Sequence, residues 1–213
     1  MKLEASVLNS AVLDNMLQRL ADRKSPELRL RLLFELNRKL DELEMKATLP
    51  WFLEDRWVAA LSQGAESVAL PDDFIREMEG GELKLTFSDG LLVPKKTTED
   101  MVDLSAVGPP QYYYLLGETL YFYPVLDRDY TMKLAYYKAT EAVVDNAQPV
   151  SNLWLKNAYN YTVAATLRSF AMVHLQSDEM AVRFGTEEKV ASDLLWKLHE
   201  ARQHTNADYK IED

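Results

Sequence analysis

The sequence predicts an α+β protein: an α-helical bundle with a small antiparallel β-sheet or barrel inserted between its N- and C-terminal helices. Three observations carry this prediction. Leucines recur at steps of three and four through the first part of the chain, to about residue 63. From about residue 65 to 140 the period changes to alternation, with tyrosine-rich runs joined by Asp-Gly and Gly-Glu turns. Helical spacing then returns after about residue 151. The expected domains are a discontinuous helical domain over 1–64 and 141–203, a β insertion over 65–140, and a polar, mobile tail over 204–213. Neither helical segment alone supplies enough apolar faces for a core, so the two are expected to pack together.

Each element has a local reason. Ser25-Pro26 reads as an N-cap followed by proline at the first helical position, where its missing N–H costs nothing. Leu33, Leu36, Leu40 and Leu43 then form one stripe, with Glu35–Lys39 and Arg38–Glu42 as i,i+4 pairs on the opposite side. Leu49-Pro50 is expected to end this helix, and Trp51-Phe52-Leu53 with Trp57-Val58 to open a short second one. In the β zone, Asp89-Gly90 after Phe87 predicts a hairpin. Gly117-Glu118 predicts a second hairpin between Tyr112–Leu116 and Thr119–Tyr123, stopped by Pro124. Tyr130, Met132, Leu134 and Tyr136 share one face of a further strand, and Asp72-Asp73 is expected to cap a short helix, 74–78. Ser151 is expected to cap a helix over 152–175, apolar on most faces, and a last helix should run from about Asp178 to Arg202, perturbed at Gly185.

Composition excludes several functions. The 213 residues carry 24 Lys+Arg against 34 Asp+Glu, a formal net charge of −10. Such a chain repels phosphates, which disfavours binding driven by the nucleic-acid backbone. There is no cysteine, hence no disulfide, thiolate metal site or cysteine nucleophile. The first residues lack the apolar run of about 7–15 residues that a secretory signal needs. No stretch reaches the ~20 apolar residues of a membrane span, the best one being interrupted by Arg168. Synthesis and folding in the cytoplasm are therefore expected.

The reactive residues form no catalytic, cofactor-binding or metal-ligating pattern. His199 and His204 suggest a zinc-protease helix, but their interval is five residues rather than four, and Gln203 stands where the second ligand belongs. On a 3.6-residue helix that turns the second ring ~140° away, so both are read as solvated histidines. His174 is read as a core or interface histidine. Gly80-Gly81 is followed by Glu82, so no phosphate loop is formed, and Ser88 and Ser105 lack the glycines of a nucleophile elbow. No enzyme is expected. Tyrosine is the anomaly, with Tyr112, Tyr113, Tyr114, Tyr121, Tyr123, Tyr130, Tyr136 and Tyr137 all in the β zone. Stacking for a sugar or base, cross-strand aromatic pairing and a protein interface all remain open for them.

The order of these segments carries a resemblance. Leu49-Pro50-Trp51-Phe52-Leu53, Val68-Ala69-Leu70-Pro71-Asp72-Asp73-Phe74, Gly108-Pro109-Pro110, Leu116-Gly117-Glu118-Thr119-Leu120 leading to Tyr123-Pro124, Asp129-Tyr130-Thr131 leading to Tyr136-Tyr137, and the helix after Trp154 occur in that sequence. Over residues 25–200 the chain resembles the head-to-tail adaptor (connector) family of tailed bacteriophages. The resemblance implies a virion structural protein that forms a ring under the portal, usually of twelve copies, and extends the DNA channel to the tail. Its partners would be the portal protein, tail proteins and copies of itself, with genomic DNA passing unbound and no membrane involved. A tail tubular or completion protein, or a carbohydrate- or peptide-binding module using the tyrosine-rich sheet, are the alternatives. The resemblance also implies a C-terminal segment that clasps the portal, here 204–213. Within it Tyr209, Lys210 and Ile211 are the mixed aromatic-aliphatic cluster and the candidate portal contacts.

Overall fold

The computed structural model describes residues 7–20, 25–78, 85–87, 92–96 and 106–207. It divides into two compact units, Met1–Leu53 with Thr140–Asp213, and Glu54–Ala139.

The first unit is helical. Helix α1 spans Asn9–Arg19 and α2 spans Pro26–Glu44, the latter capped by the Ser25 hydroxyl, which accepts from the Leu28 amide. Leu32, Leu36, Leu40 and Leu43 are its buried stripe, against Val12, Leu13, Met16 and Leu17 from α1 and other core residues of the unit. The stripe thus begins at Leu32 rather than Leu33, and α2 stops at Glu44, before the expected Leu49-Pro50. Arg38 does pair with Glu42, but Glu35 turns inward, is buried, and meets Arg38 at 2.5 Å instead of Lys39. The loop after the β segment is tied down by Arg29, whose guanidinium donates to both oxygens of Asp145 at 2.5 and 2.7 Å and to the Ser10 carbonyl. That bidentate bond is the largest cause holding the Asp145 carboxyl below its ordinary range.

The C-terminal helices complete this unit. Helix α3 spans Leu153–Asn157 and α4 spans Tyr159–Phe170, followed by a π-helical segment, Ala171–Leu175, and helix α5, Asp178–Ala207. The single helix expected over 152–175 is therefore broken at Ala158, and its cap is Asn152 rather than Ser151, with the side-chain oxygen accepting from the Trp154 and Leu155 amides. Every residue from Tyr161 to Leu167 is buried, because α4 packs against α2 and against α5. Thr162 and Thr166 sit in this interior with their hydroxyls donating to the Ala158 and Thr162 carbonyls, which satisfies both without a distant partner. Helix α5 passes through Gly185 unbroken. A side chain there would come within 3.4 Å of the Arg168 guanidinium, so glycine gives Arg168 room to reach Glu188 at 3.0 Å.

The second unit is built on three small sheets, and its described strands do not close into a barrel. The strands are β1 Glu54–Leu61, β2 Ser67–Ala69, β3 Phe74–Glu77, β4 Leu85–Phe87, β5 Leu92–Val93, β6 Val107–Gly108, β7 Tyr112–Leu116, β8 Thr119–Tyr123, β9 Val125–Leu126 and β10 Tyr130–Lys138. Two expected helices are corrected here. Trp51–Leu53 is one 3-10 turn and the chain then extends as β1, since Trp57, Ala59 and Leu61 lie opposite Leu134, Met132 and Tyr130 of β10. The segment from Phe74 is likewise a strand, pairing β10. Asp73 caps no helix but accepts from the Tyr136 hydroxyl at 2.9 Å. In both places pairing with the long β10 outweighs weak local helical signals.

The largest sheet runs β1-β10-β4-β5, with β3 also on β10, and a second runs β2-β8-β7. Strands β6 and β9 form a parallel pair. Tyr130, Met132 and Leu134 pack with Tyr113, Leu120, Phe122 and Phe87 into one core. The β7–β8 turn has Gly117 at φ 60°, the left-handed geometry that a Gly-first hairpin turn requires. The Asp89-Gly90 turn lies outside the described residues.

Candidate interaction surfaces

Within the helical unit, a groove of about 520 Å³ runs along α5. Val190, Leu194 and Leu198, spaced four apart, form one wall; Tyr159 at the start of α4 and Arg19 at the end of α1 form the other. The three apolar side chains are 66%, 54% and 48% exposed. Arg19 is held at the groove by an ion pair with Glu187, which also meets Arg183 at 3.6 Å. Helix α2 exposes a second apolar pair, Leu30 and Phe34, each 68% exposed and one turn apart, beside the Glu27–Arg31 ion pair. Exposed aliphatic side chains aligned along a helix mark an interaction surface.

A half-buried polar junction anchors the chain where it returns from the β unit. The Glu44 carboxylate accepts from the Thr140 amide at 3.1 Å, the Thr140 hydroxyl at 2.6 Å and the Trp154 indole at 3.2 Å. Asn152 donates to the Thr140 hydroxyl and the Glu141 carbonyl. Burial raises the Glu44 pKa, and the three hydrogen bonds only partly offset it. A raised carboxyl pKa means that the folded state holds the proton more tightly than the unfolded one. Its contribution is thus present at low pH and lost as pH rises through the folded value. Glu44→Gln removes this ionisation cost. Its stability relative to the wild type should therefore improve as pH rises above the ordinary glutamate value of 4.5 and then level off in urea titrations, and a difference independent of pH would refute the assignment.

A second carboxylate, this one buried, behaves oppositely. Burial would lift Glu35, but hydrogen bonds from Arg38 and Ser169 and the charges of Arg38 and His174 hold it below the usual range. His174 lies 3.8 Å from it and packs on Phe170, which makes it a half-buried packing residue.

His199 is not solvated, as the sequence suggested, but 5% exposed, stacked on Trp51 and edge-on to Trp196. Burial lowers its pKa from 6.5, the Glu200 charge opposing weakly. His204 side-chain geometry lies outside the described residues. Among the described residues no group of three or more His, Asp or Glu is arranged to hold a metal ion, and no helix is long and apolar enough to cross a membrane.

The tyrosines pair across strands. Tyr112 stacks on Tyr123 at 4.7 Å and Tyr114 on Tyr121 at 4.8 Å, each pair directly opposite in the β7–β8 register. Tyr113 and Tyr130 point to the other face and belong to the core. Burial, then the Glu77 carboxylate that accepts its hydroxyl at 2.5 Å, pushes Tyr113 far above its ordinary pKa. Tyr209, Lys210 and Ile211 lie outside the described residues. The α5 groove and the Leu30–Phe34 pair escaped sequence reading, although the four-residue spacing of Val190, Leu194 and Leu198 was a visible signal.

Exposed aliphatic faces on the helical unit are the kind of surface that a structural, partner-binding protein presents. The family model described as SU10 adaptor protein matches residues 10–202, and the chain belongs to that family of phage adaptors. This agrees with the head-to-tail adaptor resemblance carried by the ordered segments from Leu49 to Trp154. No curated protein matches the chain. The protein is accordingly a phage structural adaptor and a virion component.

Proposed function

We propose that this adaptor occupies the head–tail junction, forms a ring under the portal and extends the DNA channel towards the tail. The family match over residues 10–202 is the observation that carries this reading. Its partners are the portal above, tail proteins below and copies of itself, and it makes or breaks no covalent bond. A net charge of −10 suits a conduit, because a negative lumen passes DNA without trapping its phosphates. Portal contact is assigned to Tyr209, Lys210 and Ile211, just beyond the end of α5 at Ala207. In the tyrosine-rich sheet one ring face of each stacked tyrosine is taken by its cross-strand partner. The test is negative-stain imaging of the protein mixed with purified portal. A ring of added density coaxial with the portal is expected, and bare portals beside free adaptor would sink the proposal.

A further inference from the structure

The α5 groove and the α2 apolar pair differ in shape. The groove is a concave trough walled by Val190, Leu194, Leu198 and Tyr159, whereas Leu30 and Phe34 project from α2 as two adjacent knobs. They do not serve each other in one copy, because α4, buried from Tyr161 to Leu167, packs against both α2 and α5. Their charged flanks are complementary. Glu27 and Arg31 border the knobs, and Arg19 and Glu187 border the groove, so docking can exchange ion-pair partners one for one.

From these observations we infer that the Leu30–Phe34 face of one copy docks into the α5 groove of the next. Two different surfaces on one subunit make a heterologous contact, and such contacts propagate head to tail until a ring closes. The inference rests on the ring proposed above and names the surfaces that build it. It also explains why apolar side chains are retained on two outer helices of an otherwise strongly charged chain.

The chain has no cysteine, so introduced thiols report only the chosen positions. A Phe34→Cys copy and a differently tagged Leu194→Cys copy are mixed, alone and with portal, and treated with a short bismaleimide. Mixed-tag dimers should exceed same-tag dimers by roughly tenfold, and adding Leu30→Glu to the first copy should remove that excess. Equal yields of all dimers, or no product in either mixture, overturn the inference. As a second readout, Val190→Glu should weaken ring formation on portal by roughly tenfold, with circular dichroism unchanged. Portal binding without mixed-tag dimers sinks the interface alone. Mixed-tag dimers from a protein that ignores portal keep the interface and sink the head–tail reading.

Discussion

Replacing Trp154 by alanine is expected to destabilise the helical unit by about 3–5 kcal/mol. Trp154 is the largest fully buried side chain, 1% exposed, at the start of α3. Its ring meets Phe52 edge-on at 5.2 Å and lies 6.3 Å from Tyr161, while its indole donates to Glu44. Alanine would leave a cavity that rigid helices cannot fully close, and would strip one donor from the half-buried Glu44 carboxylate. For a chain of this size the thermal midpoint should fall by roughly 6–20 °C. A shift of only two or three degrees, roughly the worth of 1 kcal/mol, would show that the junction relaxes around the gap. Phe52→Leu, which keeps apolar volume against the same ring, should cost far less.

Deleting residues 208–213 should abolish binding to portal while leaving the far-ultraviolet spectrum and thermal midpoint unchanged. The cut leaves the described span of α5, Asp178–Ala207, intact. An equally clear loss is expected for the double change Tyr209→Ala with Ile211→Asp, which removes the apolar pair but keeps the chain length. Surface plasmon resonance on immobilised portal reads both. Undiminished binding by the deletion would place the portal contact elsewhere on the molecule.

The helices with strong periodicity were legible because burial and propensity agree in them. Ser25, Pro26 and the stripe from Leu36 to Leu43 all point to α2, and Asp178 marks the start of α5. The β7–β8 hairpin was equally legible, since Gly117 supplies the one positive φ its turn needs. Segments such as Trp51–Val58 and Phe74–Met78 misled because each is short, and what decides it is β10, a partner more than fifty residues away. Glu35 was misread for a related reason. Its spacing to Lys39 is favourable on an isolated helix, but in the bundle that position turns inward, where Arg38 of α2 itself, Ser169 of α4 and His174 of the π-helical segment surround it.

The sequence by itself determined the α+β class, the helix–sheet–helix order, the adaptor resemblance and the absence of thiol chemistry. These follow from local period, turn residues and composition, which act between near neighbours in the chain. Tertiary structure alone decided that Trp154 and Glu44 share one half-buried junction, that His199 is enclosed by Trp51 and Trp196, and that α5 and α2 keep apolar side chains in water. Those outcomes depend on which faces meet after the helices pack. Burial, unlike propensity, is a property of the assembled neighbours and not of the residue.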